Sequence, residues 1–536
     1  MSLTLLANAQ VETLDQAGCQ YDGILIKNDK ILAVGKTGDL RLQGGSQIEV
    51  EYDLAGAYVL PGLVDSHLHL LSYGHYLQQL DLRQVTTKEE LRRVIGERVS
   101  MTPVGKWIVG SGWDENRFPH REFITLAELN RWAPDHPVLL ARTCYHTYMV
   151  NQRAYEQAGI IESTPNPEGG QFGCDGEGAL NGYIYEHAYR LFAAAIPRPT
   201  KAEHRQALCT AVTAAQAKGL VGVHSDDLRE LPVWQELFQL YGKVLAQHPL
   251  HIHELIDSQR LQEVKDAGVS YGPLSPNFSV GAVKYFADGA LGGRTAWMSE
   301  AYLDRPGNRG ISQFTDEELA QHVAEAVAAG LPVAVHAIGD AAAAQVIQAF
   351  AKHPPQQGRH RLVHAQVLRQ ELVQQLASLP YVIADIQPRF VASDFPWAVD
   401  ALGEERLQYG YAWKTLLDAG IPCAGGSDAP IEPLDPLLGI HAAVTRRHPD
   451  ETHEGYFPQE KLSIREAIGL FTQGSAYAAM MEGNRGKIAP GYSADFTVLS
   501  HNLLSPSMAA EPDQLLQVQV QGTMVAGQWV YGMGLS

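Results

Sequence analysis

The chain has 536 residues, of which 45% are hydrophobic and 19% are charged, and its formal net charge is -19. This composition is typical of a globular protein with one large core or two domains, and the negative charge disfavours nucleic acid and anionic membranes as partners. The cysteines are scattered without close pairing, and no apolar stretch reaches membrane-spanning length. We therefore expect a protein of a reducing, cytoplasmic compartment.

Both ends of the chain show short strand-like runs separated by turn residues, with Gly522 and Gly527 at turns near the C-terminus. Because strands occur at both ends and helices only between them, we predict one small β-sandwich made from residues 1–60 and 484–536. The predicted strands cover 3–6, 23–26, 31–34, 494–499, 518–521, 523–525 and 528–531.

The middle of the chain, residues 61–483, alternates strand-like and helix-like runs. The segment 316–329, for example, follows a Thr315-x-x-Glu318 capping box and ends at Gly330, and similar helices are predicted over 341–352 and 370–379. Eight β units result, which predicts an α/β fold with a (β/α)8 TIM-like barrel, whereas a doubly wound open sheet is the structural alternative. The predicted barrel strands are the run before His67 and the runs 219–225, 250–256, 280–287, 331–337, 361–364, 381–386 and 421–425.

One stretch interrupts this alternation. From about 74 to 198 the chain carries helices and strands that exceed a simple loop between a strand and a helix. We interpret it as an insertion between the first and second barrel strands. Insertions at the carboxyl face of a barrel commonly form the substrate pocket.

The most informative motif is His67-Leu68-His69, which ends the apolar run that begins at Val59. Side chains two residues apart in a strand point to the same side, so both imidazoles can reach one point at the end of the strand. Neutral imidazole is the commonest metal ligand in proteins. A lone His-x-His is weak evidence, and its importance depends on the other strand ends.

Four further residues lie at or near the ends of later barrel strands, or within one: Lys284, His336, His364 and Asp428. Each alone has an ordinary explanation, such as a hydrogen-bonded histidine, a lysine that reaches solvent or an aspartate that starts a turn. Together they favour one site, because the carboxyl ends of barrel strands face a common mouth. A second pair, His251-Ile252-His253, lies early in its strand, and we interpret it as structural.

These residue types suit a metal-dependent hydrolase. His67, His69 and a carboxylate can hold one divalent ion, and His336 and His364 can hold a second. An ammonium has no lone pair, but a desolvated lysine that reacts with carbon dioxide becomes a carbamate, so Lys284 is a candidate bridging ligand. Metal-activated hydroxide would then attack, with Asp428 as the proton shuttle.

The chain resembles the amidohydrolase superfamily, and within it the YtcJ-like branch that includes N-substituted formamide deformylase. The resemblance runs nearly end to end. The motifs that carry it are Pro61-Gly62-Leu63-Val64-Asp65-Ser66-His67-Leu68-His69, Gly110-Ser111-Gly112-Trp113-Asp114, Lys284-Tyr285-Phe286-Ala287-Asp288-Gly289-Ala290-Leu291-Gly292, His336-Ala337-Ile338-Gly339-Asp340-Ala341, His364-Ala365-Gln366, Gly426-Ser427-Asp428-Ala429-Pro430 and the tail from Gly486 to Phe496. The resemblance implies metal at the carboxyl face of a barrel and hydrolysis of a C–N bond outside peptides.

One departure from the branch concerns the insertion. Arg142-Thr143-Cys144-Tyr145-His146 resembles an Arg-x-Cys-Gly-His pattern, with Tyr145 where glycine is usual. Tyr145 can reshape the pocket, so no particular substrate is carried over. The candidate substrate-binding residues are Trp113, Asp114, His146 and Arg294, for which core packing, surface positions or salt bridges are the alternative roles.

We therefore expect a hydrolase that acts on a small amide, N-substituted formamide or related C–N substrate with one or two divalent ions, zinc being favoured by the ligand types. A mononuclear deaminase is the enzymatic alternative, although the acid-base glutamate that such enzymes place shortly after a barrel histidine is missing after His336. A non-catalytic regulatory protein on the same fold is the other alternative. The expected partner is a small molecule, and a homodimer is open alongside a monomer.

Overall fold

The computed structural model describes residues 3–15, 21–119, 122–143, 146–231 and 233–533. Its contacts divide the chain into two compact units. The first unit comprises Met1–Tyr73 and Leu208–Ser536, and the second comprises Gly74–Ala207. The stretch that the sequence marks as an insertion, 74–198, falls inside the second unit.

The strands of the described residues are numbered in chain order. They are β1 (Leu3–Ala7), β2 (Gln10–Val11), β3 (Gly23–Lys27), β4 (Lys30–Gly35), β5 (Ile48–Asp53), β6 (Tyr58–Pro61), β7 (Leu63–Leu68), β8 (Leu80–Asp81), β9 (Ile108–Trp113), β10 (Val138–Arg142), β11 (Thr147–Val150), β12 (Gly170–Cys174), β13 (Leu180–Glu186), β14 (Leu220–Ser225), β15 (His251–Asp257), β16 (Gly272–Ser275), β17 (Phe278–Phe286), β18 (Val333–Ala337), β19 (His360–His364), β20 (Val382–Ile386), β21 (Cys423–Gly425), β22 (Phe496–Leu499), β23 (Val520–Val525) and β24 (Gln528–Gly532).

The α-helices are numbered in the same way. They are α1 (Thr37–Gly44), α2 (Leu70–Leu77), α3 (Lys88–Met101), α4 (Leu126–Trp132), α5 (Gln152–Ala158), α6 (Tyr189–Ala195), α7 (Lys201–Ala217), α8 (Trp234–Leu245), α9 (Leu261–Asp266), α10 (Asp316–Ala328), α11 (Asp340–Lys352), α12 (Gln370–Ala377), α13 (Phe390–Asp394), α14 (Trp397–Leu402), α15 (Trp413–Asp418), α16 (Pro436–Thr445), α17 (Ile464–Gly469), α18 (Ser475–Ala478) and α19 (Pro506–Ala510). None of these described helices combines the length and apolar character needed to cross a membrane.

Eight parallel strands of the first unit form a nearly closed barrel. Their order is β7-β14-β15-β17-β18-β19-β20-β21, so neighbours in space follow one another in sequence. The last strand returns to the first, where the amide of Asp428 donates to the carbonyl of His67 over 2.7 Å. A doubly wound sheet would reverse its strand order at a switch point, so the open-sheet alternative is wrong.

Local sequence explains these elements. Strands covered on both faces tend to be largely apolar, as in β20, in which every residue is buried and all but Asp385 are apolar. Helix α10 begins at the capping box of Thr315 and Glu318 that its sequence predicts, and Gly330 follows it with a positive φ of 75°. Buried apolar residues of the barrel strands and of the helices together form the core.

Two other sheets belong to the first unit. One has the order β4-β3-β1-β5, and the other, β2-β6-β22-β23-β24, joins strands from both ends of the chain. A shared apolar cluster includes Ile24 and Ile26 from the first sheet and Phe496, Val498 and Met524 from the second. Strands from the beginning and from the end of the chain thus share one buried apolar cluster.

Two predictions for the terminal segments are wrong. Gly522 lies inside β23 rather than at a turn. The glycine is explained by packing, because the ring of Trp529 would lie 2.8 Å from an ideal Cβ at this position. The terminal segments also contain helices, α1 and α19, and are not made only of strands. Helix α1 offers little sequence signal because few of its residues are buried.

The second unit has its own sheet, with the order β12-β13-β11-β10-β9-β8. Apolar side chains of α3 and α4 pack on this sheet in one cluster that includes Leu91, Leu129 and Leu140. The boundary of the unit at Ala207 lies within α7, nine residues beyond the predicted end of the insertion at 198. A continuous helix gives no compositional sign of such a boundary.

Candidate metal centre at the carboxyl end of the barrel

The six residues singled out from the strand ends line one cavity of about 300 Å³. They come from β7 and its end, β17, β18, β19 and the segment after β21, which places them at the carboxyl mouth of the barrel. The set is His67, His69, Lys284, His336, His364 and Asp428.

Closure of the barrel brings Asp428 next to the His-x-His motif. The buried carboxylate of Asp65 accepts the amide protons of His67 and Ser427, at 3.0 Å to its nearest oxygen in each case. The amide of His69 donates to the carbonyl of Ala429 over 2.9 Å. Gly426 passes so close that an ideal Cβ would lie 2.5 Å from the amide nitrogen of His67.

The first group of donor atoms is compact. Single ligand atoms of His67, His69 and Asp428 all lie within 4.8 Å of one another. Asp428 Oδ1 is 3.2 Å from His69 Nε2 and 3.5 Å from His67 Nε2, and Lys284 Nζ is 3.0 Å from His67 Nε2. Two imidazoles and a carboxylate are a common ligand set for a divalent metal with an open position.

The second group is oriented by hydrogen bonds on its far side. His336 Nε2 lies 3.0 Å from the carbonyl of Gly289, and His364 Nδ1 lies 2.6 Å from Gln387 Oε1. The protein thus engages one nitrogen of each ring and leaves the other as a candidate ligand, and the ring centroids are 4.4 Å apart. Outer partners of this kind orient histidine ligands in metal sites.

Two of the six residues have an uncommon backbone conformation. His364 has φ of 74° and Asp428 has φ of 58°, in the left-handed region that non-glycine residues rarely adopt. Such conformations cost of order 1–3 kcal/mol and persist where the surrounding structure determines them, often at functional sites. Here they turn the chain directly after β19 and near the end of β21.

Burial governs the protonation of the group. Burial lowers the pKa of His364 to about 4 and that of Lys284 to about 8, and it holds the pKa of His67 well below its ordinary value. Burial would raise the pKa of Asp428, but His69, His364 and Lys284 outweigh it and lower that pKa to about 2. The carboxylate is thus ionised and most imidazoles are neutral at neutral pH, as metal ligands must be.

A buried ion pair supports β7 from inside the barrel. The guanidinium of Arg361 donates to the carboxylate of Asp385, to the carbonyl of Ser66 and, over 3.1 Å, to His224 Nδ1. The hydroxyl of Ser66 donates to the same carboxylate. These contacts fix the backbone next to His67.

The four candidate pocket residues have other contacts within their own units. Trp113 is fully buried in the apolar core of the second unit, Asp114 pairs with Arg142 at 3.1 Å, and the exposed ring of His146 pairs with Glu186 at 3.0 Å. These are the core and salt-bridge roles that the sequence left open, and contact with a substrate stays a prediction. Tyr145, the departure from the branch pattern, and its neighbour Cys144 lie outside the described residues.

Arg294 belongs to the first unit and adopts a structural role there. Its guanidinium pairs with Asp304, with a shortest distance of 2.5 Å, and donates to the carbonyls of Leu291 and Gly292. Those two residues line the cavity, whereas Arg294 is not among its described lining residues. A substrate-binding role for Arg294 stays a prediction. Its observed contacts hold the backbone of Leu291 and Gly292, which line the cavity.

Sequence reasoning missed other polar residues of the mouth. Gln387 and Asp288 lie just after β20 and β17, so their strand-end positions were a usable signal, although neither was proposed as a ligand. Gln366, Asp394 and Glu432 also line the cavity. Asp394 and Glu432 lie on a helix and a loop, where no sequence pattern shows which way a side chain points.

A larger cavity of about 450 Å³ lies at the amino end of the barrel. Its histidines have protein partners: His251 contacts Asp495 and Arg485, His253 contacts Ser279, and His224 contacts Arg361. Volume alone does not identify a functional site, and the amino face of such barrels usually serves stability. We therefore place the chemistry at the carboxyl mouth.

Comparisons with known proteins agree with this architecture. A relative named as the amidohydrolase YtcJ, from Bacillus subtilis (strain 168), is 41% identical over 97% of this chain and 98% of its own length. N-substituted formamide deformylase from Arthrobacter pascens is 24% identical over 98% of this chain and 97% of its own length. The crystal structure of a metal-dependent hydrolase from Pyrococcus furiosus superposes with a TM-score of 0.78 at 28% identity, over 94% of this chain and 100% of that one.

The barrel and these relatives define the class of the protein as a metal-dependent hydrolase. A family model described as the amidohydrolase family matches residues 50–531. The chain belongs to the amidohydrolase family, and the resemblance to its YtcJ-like branch that the motifs carry is confirmed.

Proposed function

We propose that the protein hydrolyses a non-peptide C–N bond of a small molecule, an amide or N-substituted formamide, at the carboxyl mouth of the barrel. The observation that carries this proposal is the convergence of four imidazoles, a lysine and an ionised carboxylate on a single cavity. The name of the deformylase relative supports the bond type.

The residues fit a divalent metal by the chemistry of their donors. His67, His69 and Asp428 would hold one ion, and His336 and His364 would hold a second with the nitrogens not engaged by Gly289 and Gln387. The imidazole and carboxylate donors favour zinc. When bound, the metal supplies Lewis-acid chemistry and lowers the pKa of water enough to provide hydroxide near neutral pH.

Asp428 is the proposed acid-base residue. Asp428 lines the cavity as a carboxylate, and its Oδ1 would accept a proton from the attacking water. The same oxygen then donates that proton to the nitrogen of the leaving amine as the C–N bond breaks. Oδ1 lies 3.2 Å from His69 Nε2, which places the carboxylate within the group of residues that would hold the ion.

Lys284 is the proposed bridging ligand after carboxylation. It is 1% exposed, and its pKa of about 8 makes the neutral amine accessible for reaction with carbon dioxide. The resulting carbamate would replace a buried ammonium, which is costly beside cations, with an anion that can coordinate.

The alternatives have less support. A deaminase would need a nearby acid-base glutamate, but Asp340, the acidic residue after His336, hydrogen-bonds the amide of Ser299 over 2.8 Å. A non-catalytic protein on this fold would be favoured by loss of a ligand, and all six are retained among the described residues.

A screen of N-formyl and N-acyl amines tests the function. Protein purified without chelators should release amine from at least one of them, and should stop doing so after chelation. Elemental analysis of the same preparation should give between one and two divalent ions per chain. Full activity in protein that contains no metal would refute the mechanism.

Other features stay predictions and belong to the same proposal. The terminal sheets, which share an apolar cluster, support the β-sandwich. The domain limits 1–60, 61–483 and 484–536, a pocket formed by the insertion, a cytoplasmic location and a homodimer rest on the sequence alone.

A further inference from the structure

The lining of the cavity at the mouth includes other polar residues besides the six candidate ligands. Most of its remaining lining is apolar, including Phe286, Leu291, Phe390 and Ile431. Apart from Ser393, the other polar residues of this lining are Gln366, Asp394 and Glu432, and a small-molecule pocket usually places its few polar groups to orient the ligand. We call these three residues the acceptor wall.

Asp394 is held rigidly on one side. Its Oδ2 accepts the hydroxyl proton of Tyr411 over 2.7 Å and an amide proton of Gln366 over 2.8 Å. These two donors fix the carboxylate, and Oδ1 carries no hydrogen bond to a described residue. Burial and, to a lesser extent, the charge of Glu432 raise the pKa of Asp394 to about 7, and no salt bridge joins this carboxylate to a described residue.

Gln366 supplies a second, independent sign of a missing ligand. Its amide nitrogen donates to both Asp394 and Tyr411. These two hydrogen bonds fix the orientation of the amide group, so its carbonyl oxygen points away from them. Its Oε1 is buried and has no hydrogen-bond partner among the described residues, although Gln366 is only 2% exposed. An unpaired buried acceptor is costly, so a donor supplied by a ligand would stabilise it.

Charge on the rest of the wall has the same sign. Apart from Lys284, the described residues that line the cavity include no lysine or arginine. Arg389 pairs with Glu432 over 3.1 Å from outside that lining, and Arg294 is paired with Asp304. The wall therefore presents oxygen acceptors to the ligand, among them a carboxylate that has no salt bridge to a described residue.

We propose that the acceptor wall selects substrates whose part remote from the scissile bond carries a positively charged nitrogen, so that the preferred substrates are N-acylated or N-formylated diamines. The inference rests on the proposed function, because it concerns the same cavity. The ammonium would donate to Asp394 Oδ1 and Gln366 Oε1, whereas a carboxylate at that place would face like charge and unpaired acceptors.

The test compares three matched series on the metal-loaded protein: N-formyl diamines of increasing chain length, N-formyl alkylamines and N-formyl amino acids. At the best chain length the diamine should have a KM at least about tenfold lower than its alkylamine match, the gain expected from a charge-assisted hydrogen bond in a buried site. The amino acid should have the highest KM of the three.

The variant Asp394→Asn keeps the shape of the wall and removes its charge. It should abolish the diamine preference by raising the KM of the diamine to that of its alkylamine match. Asp418→Asn, at an exposed residue that pairs with Lys414, is the matched control and should keep the preference. A diamine preference that survives Asp394→Asn, or equal KM values across the series, would overturn the proposal.

A binding measurement separates the two proposals. Calorimetry with alkylamines and diamines that lack the formyl group reports on the wall without hydrolysis. If no compound is hydrolysed but diamines bind more tightly than alkylamines and Asp394→Asn removes the difference, the wall is supported and the proposed function fails. If alkylamine derivatives are hydrolysed as fast as diamines with equal KM, the function stands and the wall is refuted.

Discussion

The two ends of the barrel carry the same short motif in opposite surroundings. His67 and His69 lie at the carboxyl end of β7 and face a cavity that also receives Asp428. His251 and His253 open β15 at the amino end, where Asp495, Arg485 and Ser279 contact their ring nitrogens. Position along the strand, and the partners of the ring nitrogens, thus distinguish a candidate ligand pair from a structural pair.

The comparison also separates two kinds of buried charge. At the amino end, Asp495 has protein partners on both sides, since His251 Nε2 and the amide of Ala526 contact one oxygen and Arg485 lies 3.5 Å from the other. At the mouth, Asp428 contacts mainly the imidazoles of other candidate ligands. A carboxylate with protein partners stabilises the fold, whereas a carboxylate that faces a cavity is a candidate catalytic residue.

The largest effect is expected from Asp428→Asn. The amide keeps the shape of the side chain but cannot transfer the proton, so turnover should fall about a hundredfold to ten-thousandfold with metal still bound and KM little changed. Steady-state kinetics on the best substrate of the screen, with elemental analysis of the variant, measures this.

Asp495→Asn is the matched change at the amino end. It should leave turnover near normal and lower the free energy of unfolding by roughly 1–3 kcal/mol, because it weakens buried hydrogen bonds to His251. Near-normal turnover in metal-loaded Asp428→Asn would remove Asp428 from the mechanism.

Loss of the lysine at the mouth should come next. Lys284→Ala should lose most of the turnover, and a short carboxylate added to the buffer should restore part of it by occupying the position of the carbamate. Lys487→Ala, at an exposed residue beside the amino-end cavity, should keep full turnover. Turnover that is equally low with and without added carboxylate would speak against a bridging role, and mass spectrometry under native conditions tests the carbamate itself.

The close approach of β21 to β7 gives a smaller effect on stability. A methyl group at Gly426 would meet the backbone of His67, so Gly426→Ala should lower the free energy of unfolding by about 1–3 kcal/mol and reduce metal content. Gly469→Ala, in α17 with no atom within 4 Å of an added Cβ, should be tolerated. Chemical denaturation of both variants measures the difference; equal stabilities would mean that the backbones can separate without loss.

His253, at the amino end of the barrel, should also affect how the free energy of unfolding depends on pH. Burial lowers the pKa of His253 from its ordinary value to about 3, so between about 6.5 and 3 the unfolded chain binds a proton that the folded chain does not. Stability of the chelated protein should therefore decrease as pH falls through this window, with His253 contributing about 1.4 kcal/mol per pH unit. His253→Gln should reduce the slope of unfolding free energy against pH by about one proton, and an unchanged slope would show that the ring is protonated in the folded state.

Much of the barrel and its mouth could be predicted because strand ends are visible in sequence. An apolar run that stops at His67, His336 or His364 marks both the strand and the residue that its end presents. The acceptor wall could not be predicted in this way, since Asp394 lies in α13 and Glu432 in a loop, and only tertiary packing turns them toward the cavity. The turn placed at Gly522 failed for a related reason: the glycine makes room for Trp529 within a strand.

The most direct test of the account is metal content in a matched pair of variants. His67→Ala and His251→Ala each remove the first histidine of a buried His-x-His, so both variants are expected to lose some stability and to retain most of the fold. Elemental analysis of both proteins, purified side by side without chelators, should show that His67→Ala has lost its divalent metal and that His251→Ala keeps the content of the unaltered protein. Normal metal in His67→Ala, or loss of metal in His251→Ala alone, would contradict the assignment of the metal centre to the carboxyl end of the barrel.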